Sequence, residues 1–232
     1  MAFSNGPFTV TSGLVLSLDA ADRNSYPGTG TTWIDMSGNG NNGILNNGPT
    51  FSSANGGAIV FDGTNDFVNL GTPSTLTGLQ VPLTVTVWAR ANAFGSFNTL
   101  YGAYGSTSAN QLYSMLRVDS GTLLYYASTV GSFQSRGSFT PSLNRWNFYA
   151  ITVSGTTTSP IGTIYLNTSF QTFSYAAFTT TPDLTVPLQI GANRNGAESW
   201  NGDIANCYVY NRALSDTEIQ QNYNAQKSRF GL

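Results

Sequence analysis

Hydrophobic and polar residues alternate along most of this chain. The segment VPLTVTVWAR (81–90) places aliphatic side chains on one face and two threonines and a tryptophan on the other: Val81, Leu83, Val85 and Val87 against Thr84, Thr86 and Trp88. A period of two is the side-chain period of a β-strand. The pattern therefore predicts a strand with two chemically different faces.

Similar short runs recur along the chain and are separated by clusters of Gly, Asn, Ser, Thr and Pro, which favour turns. Their spacing of roughly ten residues predicts an antiparallel sandwich or barrel. WNFYAITV (146–153) is apolar on both faces, so we expect a central strand covered on each side. The other predicted strands lie at 13–19, 58–61, 66–70, 111–118, 122–128, 162–167, 187–192 and 203–210.

One segment near the end of the chain has the pattern of a helix. In LSDTEIQQNY, Ser215 is a natural N-cap and Glu218 stands three residues later, which is the spacing of a capping box. Leu214 and Ile219 are placed to form a hydrophobic staple. Ile219 and Tyr223 then share one side of the helix, and we expect this side to dock against the sandwich.

The 232 residues fit one all-β domain, at 13–232, preceded by an N-terminal arm at 1–12. Such an arm is either frayed or tied to something else, and it could add a strand to the sheet edge of a neighbouring protein. The first residues lack the features of a signal peptide, and no stretch approaches the apolar length of a membrane span. We therefore expect a protein made in the cytoplasm without membrane insertion.

The amino-acid composition limits the functions that this chain can have. Only 9% of residues are charged, the formal charge is −2, and there is no histidine. The usual general base, the commonest zinc ligand and a basic nucleic-acid surface are therefore missing. Cys207 is the only cysteine and lies in a strand-like run, so a buried structural role is favoured over a reactive thiol.

A hydrolase of the two-carboxylate type also looks excluded. The chain has two glutamates, Glu198 and Glu218, and the capping box already accounts for the second. The one D-x-E sequence, Asp216 to Glu218, lies in the predicted capped helix, and no strand-like segment carries alternating carboxylates, as a glycosidase strand of this kind would require. We expect a non-catalytic protein.

The loop DMSGNGNNG (35–43) carries oxygen-bearing side chains at alternate positions, at Asp35, Ser37, Asn39 and Asn41. This arrangement imitates the first half of a calcium loop but lacks its final glutamate, so a cation site would need a further acid. One interpretation is a single calcium site formed by Asp35 and Asn39 together with Asp62 or Asp66 of FDGTNDF. The other is that these side chains close turns around the glycines.

The loop GANRNGAESWNG (191–202) is the candidate ligand-binding segment. Trp200 could offer an apolar platform to a sugar while Asn193, Arg194 and Asn201 bind its hydroxyls. Alternatively, Trp200 covers the end of the sandwich and Arg194 pairs with Glu198. Both interpretations remain open at this point.

Several segments together resemble the laminin-G-like, concanavalin A-type jelly-roll modules. They occur in the family's usual order and cover roughly residues 13–226: LVLSLDAAD, WIDMSGNGNNG, AIVFDGTNDFVNLG, LTVTVWAR, WNFYAITVSG, IYLN and LQIGANRN, followed by SWNGDIANCYVYNRALSDTEIQQNY. The resemblance implies a two-sheet antiparallel jelly roll with one short C-terminal helix. It also implies that calcium binding near such loops is common.

Copies with this low charge and Asn/Gly/Thr-rich character resemble modules in virion proteins of tailed bacteriophages, particularly marine cyanophages. The resemblance therefore implies a virion surface protein: a capsid-decorating, fibre or tail-associated subunit that displays a lectin-like domain to a host glycan. Its partners would be other virion proteins, contacted through the arm, or further copies of itself. The alternative is a free-standing, calcium-dependent carbohydrate-binding module or a secreted adhesin domain.

Overall fold

A computed structural model describes residues 8–104, 112–129, 132–178, 184–193 and 195–232. This part contains sixteen strands and one α-helix, α1 (Asp216–Gln226), which is followed by a 3-10 helix, Lys227–Phe230. None of its helices combines the length and apolar character needed to cross a bilayer. The strands are β1 (Leu14–Asp19), β2 (Thr32–Trp33), β3 (Gly43–Asn46), β4 (Thr50–Ser52), β5 (Ala58–Asp62), β6 (Phe67–Gly71), β7 (Leu83–Ala91), β8 (Asn98–Tyr104), β9 (Leu112–Asp119), β10 (Thr122–Thr129), β11 (Ser132–Phe139), β12 (Trp146–Thr156), β13 (Ser159–Leu166), β14 (Ser169–Ser174), β15 (Leu188–Ile190) and β16 (Asn201–Tyr210).

The strands form two antiparallel sheets of eight. The first sheet has the order β14-β13-β12-β7-β16-β5-β4, and β1 pairs with β16 beside β5. The second sheet has the order β11-β10-β9-β8-β15-β6-β3-β2. The predicted all-β, two-sheet jelly roll with a short C-terminal helix is therefore confirmed.

The main core lies between the two sheets, and the period of two decides which side chains enter it. Leu83, Val85 and Val87 of β7 all belong to this core and are fully buried. Trp88 points to the opposite face of the same strand and joins a different cluster. The two faces predicted for 81–90 are therefore the two faces observed.

The second cluster covers the outer face of the first sheet. Trp88 stacks on Phe230 at 4.4 Å between ring centroids and on Tyr223 of α1 at 5.5 Å. Phe148 of β12 packs in this outer cluster, whereas Ile151 of the same strand packs in the main core. β12 is thus buried on both faces, as its sequence predicts.

The start of α1 follows the predicted capping box. The Ser215 hydroxyl accepts a hydrogen bond from the Glu218 N–H at 3.3 Å, and the Ser215 N–H donates to the Glu218 carboxylate at 2.9 Å. Leu214 and Ile219 are both buried in the outer cluster. Arg212 also donates to both Glu218 carboxylate oxygens, at 2.9 and 2.5 Å.

The described part of the N-terminal arm packs on its own chain. The Val10 N–H donates to the Asn222 side chain at 2.8 Å, and the Tyr210 hydroxyl donates to the Val10 carbonyl at 3.0 Å. Gln221 of α1 reaches the Phe8 carbonyl at 2.7 Å. Residues 1–7 lie outside the described residues, so attachment of the arm to another protein stays a prediction.

Cys207 is fully buried in the main core, as its position in a strand predicts. Burial raises the pKa of its thiol well above the ordinary value, because a thiolate is poorly solvated there. The side chain therefore acts as a small core residue.

Strands that the sequence did not reveal lie mostly at the sheet edges. β11 and β14 are terminal strands, and most of the side chains described in them are at least partly exposed. An edge strand buries little, so its residues need not alternate between apolar and polar. β8 begins with Asn98 and Thr99, and its ladder to β9 is interrupted by register shifts, which weakens its periodic signal.

Candidate functional site

Three connections meet at one end of the sandwich: the β5–β6 turn (63–66), the β7–β8 loop (92–97) and the β15–β16 loop (191–200). Gly196 lies where the last loop crosses the first turn. Its φ is +103°, and a Cβ on it would come within 2.6 Å of the Asn65 carbonyl oxygen. Only glycine combines this conformation with so close an approach.

Hydrogen bonds hold the β15–β16 loop in one shape. The Asn193 N–H donates to the Ala197 carbonyl at 3.1 Å. The Ser199 hydroxyl reaches the Thr64 carbonyl at 3.1 Å and the Gly196 carbonyl at 2.6 Å. Residues 196 and 199 of the loop are therefore in direct contact with the neighbouring turn.

Arg117 of β9 joins this loop to the second sheet. Its Nη1 donates to Glu198 Oε2 at 2.6 Å, and its Nη2 donates to Asp119 Oδ2 at 2.8 Å. The guanidinium also lies over two rings, 4.5 Å from the centre of Phe97 and 4.3 Å from that of Tyr126. Burial pulls the pKa of Arg117 down, but hydrogen bonding to Asp119 and the charges of Asp119 and Glu198 more than offset this, so the pKa rises.

Glu198 is held in place from two sides. Besides Arg117, it accepts a hydrogen bond from Asn193 Nδ2 at 2.6 Å. Its φ of +54° is unusual for a residue with a side chain and turns the carboxylate back towards β9. The sequence suggested Arg194 as its partner; Arg194 lies outside the described residues, and Arg117 is the cation observed.

A groove of about 450 Å³ opens between the three connections; we call it the loop groove. It is lined by Gly63 and Thr64, residues 93–98, Glu198, Ser199 and Asn201. Phe97 leaves 47% of its surface exposed beside the groove. The groove thus combines an accessible ring with carboxylate, amide and hydroxyl groups.

The structure corrects the role predicted for Trp200. Its side chain is fully buried and meets Tyr149 and Phe94 edge-on, at 6.0 and 6.3 Å between ring centroids. The residue directly precedes β16, where the chain enters the sandwich, and the largest apolar side chain fills the space between the sheets. Trp200 therefore cannot offer its face to a sugar; the accessible aromatic residue is Phe97.

Of the other predicted ligand-binding residues, one lines the loop groove and one is buried. Asn201 begins β16 opposite Asp62 and lines the loop groove. Asn193 is buried beneath it, and its Oδ1 has no hydrogen-bond partner within the described residues. Phe97 was not predicted as a binding residue. The signal that could have revealed it is an aromatic residue among Gly, Ser and Asn in the segment AFGSFN (93–98).

The carboxylate of Asp35 accepts four hydrogen bonds, from its own loop and from β1. Its Oδ1 accepts from the N–H groups of Ser17 and Ser37 at 2.8 and 2.9 Å. Its Oδ2 accepts from the Ser37 hydroxyl at 2.8 Å and the Asn41 N–H at 3.0 Å. Asn39 is exposed and donates its amide to the Ser37 hydroxyl at 3.0 Å. These contacts are those of a turn anchored to β1.

Asp35 and the two other predicted metal ligands lie at opposite ends of β3. The Asp35 N–H bonds to Asn42, just before β3, whereas Asp66 precedes Phe67, the partner of Asn46 at the far end. Four strand residues separate these ends by roughly 13 Å, but ligands of one calcium ion lie within a few ångströms of each other. The predicted site that combines Asp35 with Asp62 or Asp66 is therefore not assembled.

Asp62 and Asp66 instead shape the β5–β6 turn. Asp62 Oδ1 accepts from the Thr64 N–H at 2.7 Å, and Asp66 Oδ2 accepts from the Asp62 N–H at 3.0 Å. Burial raises the pKa of Asp66, and this outweighs the lowering by the backbone hydrogen bond. Within the described ranges, no group of three or more His, Cys, Asp or Glu residues is placed to hold a metal ion.

Comparison with known proteins identifies the family of this chain. A family described as the concanavalin A-like lectin/glucanases superfamily, of laminin-G type, matches residues 62–220. No curated protein sequence matches the chain. Similar solved structures include domain 4 of AbnA, an extracellular arabinanase from Geobacillus stearothermophilus, in complex with arabinotriose: 15% identity, TM-score 0.68, covering 91% of this chain and 98% of that one.

Two other similar structures belong to larger proteins. The sialidase of Trypanosoma rangeli in complex with the inhibitor DANA is 16% identical, with a TM-score of 0.64 over 95% of this chain and 34% of its own. The receptor-binding domain of botulinum neurotoxin type G is also 16% identical, with a TM-score of 0.65 over 93% and 52% of the two chains. The chain spans about a third of the first solved chain and about half of the second. Since the matched segment covers more than half of its residues, the chain belongs to the concanavalin A-like lectin/glucanases superfamily.

Proposed function

We propose that this protein is a non-catalytic carbohydrate-binding domain and that the loop groove is its binding site. The observation that carries the proposal is the exposed Phe97 ring, held over the Arg117 guanidinium at the edge of a polar groove.

The groups around the groove suit a sugar. The C–H face of a pyranose or furanose ring packs on an aromatic ring, while its hydroxyls both donate and accept hydrogen bonds. Glu198 can accept, and the amide of Asn201 can do both, on the same side of the groove. The arabinotriose complex of the AbnA domain, which shares this fold, supports the proposal.

The carboxylates near the groove favour binding over hydrolysis. Glu198 and Asp119 are both paired with Arg117, whose side chain is only 7% exposed. A glycosidase needs one carboxyl group free to protonate the leaving oxygen and another free to attack or to activate water. Here one guanidinium engages both groups, so we expect no release of reducing sugar from any bound oligosaccharide.

Replacing Phe97 by Ala tests the site. We expect glycan affinity, measured by calorimetry with a ligand found on a glycan array, to fall about tenfold, which corresponds to ~1.4 kcal/mol of lost ring contact. The matched control is Phe170→Ala, which removes a similarly exposed ring from the edge strand β14 and should leave binding unchanged. Equal affinity in the Phe97 variant and the unchanged protein would refute the proposal.

We further propose that the domain is displayed on a phage virion, where it would hold the particle to a host polysaccharide. The low charge, the amide-rich loops and the resemblance to phage modules support this setting. The protein should then be found in purified particles by proteomics, and its absence from them would end the virion proposal while leaving glycan binding open. The alternative, a free-standing calcium-dependent module, requires glycan binding that is lost on chelation.

A further inference from the structure

Several strands of the sandwich lie at an edge of their sheet, and most of them are protected against pairing with another chain. β2 has two residues and β4 has three, which makes each a poor template. β11 carries Arg136 and a register shift in its ladder to β10. β1 is covered by the 35–43 loop, in which the Met36 N–H donates to the Ser17 carbonyl at 2.9 Å. Short strands, charges and bulges are the usual means of preventing association through sheet edges.

β14 has none of these protections. Its six residues, SFQTFS, include no charge, proline or register shift, and the whole β13–β14 hairpin, 159–174, is free of charged residues. Among the described strands, only β13 pairs with it, and β11 contacts it through the side chains of Ser138 and Gln171. After β14 the chain turns inward, since Tyr175 and Phe178 pack in the main core. A regular, uncharged edge of this length can accept a further strand.

The backbone groups of β14 that face its free edge follow from the ladder with β13. Tyr175, directly after β14, donates its N–H to the Pro160 carbonyl at 3.0 Å. In an antiparallel pair every second residue directs its N–H and C=O groups to the partner strand. Counting back from Tyr175 along the regular ladder, the residues whose groups point away from β13 are Phe170, Thr172 and Ser174.

The outer face of this hairpin exposes two apolar side chains. Phe170 is 52% exposed and lies against Tyr165 of β13, at 5.6 Å between ring centroids. Ile161 of β13 is 41% exposed and stands opposite Ser174. Both apolar side chains therefore lie on one face of the hairpin, beside a free edge.

We infer that β14 pairs antiparallel with β14 of a second copy of this chain, about a two-fold axis that passes between the two Thr172 residues. This register uses all three outward-facing residues of each strand, which exchange about six main-chain hydrogen bonds with the partner. The first sheets of the two copies then form one continuous sheet. Because the hairpin carries no charge, two copies can meet there without like-charge repulsion.

The same register is self-complementary in shape. Phe170 lies opposite the partner's Ser174, and the partner's Ile161 stands next in the same row. The small serine leaves room for the Phe170 ring between it and the partner's Ile161. The two-fold axis repeats this contact, so that each copy covers the exposed apolar side chains of the other.

Sedimentation velocity of the full chain should show a concentration-dependent equilibrium between monomer and dimer, in the micromolar range because the interface is small. Hydrogen exchange followed by NMR should show slower exchange of the Phe170, Thr172 and Ser174 N–H groups at high than at low protein concentration. The N–H groups of the edge strand β4 should exchange at one rate throughout. A monomer at every concentration, or a dimer in which these three N–H groups exchange unchanged, would overturn the inference.

Thr172→Lys tests the register, because it places two like charges directly opposite each other on the axis. We expect dimer affinity to fall about tenfold or more. The matched control is Thr163→Lys, since the Thr163 and Thr172 hydroxyls bond each other at 3.0 Å and both variants lose this contact. The two lysines of the control lie three strand spacings apart, roughly 14 Å, where salt screens them, and affinity should change less than about twofold.

A charge exchange completes the test. Thr172→Glu mixed with Thr172→Lys should form a heterodimer, whereas each variant alone stays monomeric. Equal losses in the two lysine variants, both with unchanged circular dichroism, or no heterodimer in the mixture, would contradict this pairing. β14 contributes no residue to the loop groove, so glycan affinity per site should be the same in Thr172→Lys, and the two proposals can fail independently.

Discussion

Asp35 bears four hydrogen bonds on its two carboxylate oxygens, all of them from its own chain. Asp35→Asn would place an amide N–H where one of these donors now points. We expect the free energy of unfolding, measured by urea denaturation, to fall by about 2 kcal/mol. Because the donors belong to the protein, the loss should be the same in EDTA and in millimolar calcium.

The matched control is Asp22→Asn, since the Asp22 carboxylate accepts a single hydrogen bond, from the Asn24 N–H, in an exposed turn. Its effect should stay within about 0.5 kcal/mol. Calcium-dependent stabilisation of the unchanged protein that disappears in Asp35→Asn would instead support the cation site predicted from the loop sequence.

At the scale of the element, the capping box of α1 makes stability depend on pH. Hydrogen bonds from Arg212 and then from the Ser215 N–H lower the pKa of Glu218 to about 2. A carboxyl with a lowered folded-state pKa contributes stability above its unfolded pKa of about 4.3 and loses it as pH falls towards 2. We expect Glu218→Gln to cost about 1 kcal/mol at pH 6.

That difference between the variant and the unchanged protein should shrink progressively below pH 4 and nearly vanish at pH 2, as followed by urea denaturation. A cost that stays constant across this range would show that the ionised carboxylate contributes nothing to the cap.

The elements also differ in how well the sequence predicted them. Central strands such as β7 and β12 and the capped α1 were located to within a few residues, because their signals are local: alternation, and a serine with a glutamate three residues on. β14 was not recognised, since five of its six side chains are exposed and carry no alternating pattern. The order of strands in each sheet has no local signal at all.

At the scale of the whole molecule, α1 and the outer cluster are part of the sandwich. Trp88 and Phe148 of the first sheet are covered by Tyr223 and Phe230, and Val10 of the arm joins the same cluster. We therefore expect one cooperative thermal transition in which the helix and the sheets unfold together. Far-ultraviolet circular dichroism and Trp fluorescence should give coincident midpoints.

An earlier transition of the helical signal would contradict this expectation and show that the outer cluster unfolds separately. Addition of a glycan that binds the loop groove should raise the midpoint without splitting the transition, since a ligand of the native state shifts the whole equilibrium.

The sequence alone determined the fold class, the capped helix, the two faces of the central strands and the structural role of Cys207. Each of these follows from residue type and spacing over a few positions. Only the tertiary structure decided that Trp200 fills the core while Phe97 is exposed, that Asp35 lies far from Asp62 and Asp66, and that Arg117 meets Glu198. The physical reason is that these facts depend on which strands lie side by side, and the free energy that selects this order comes from burying the whole core at once.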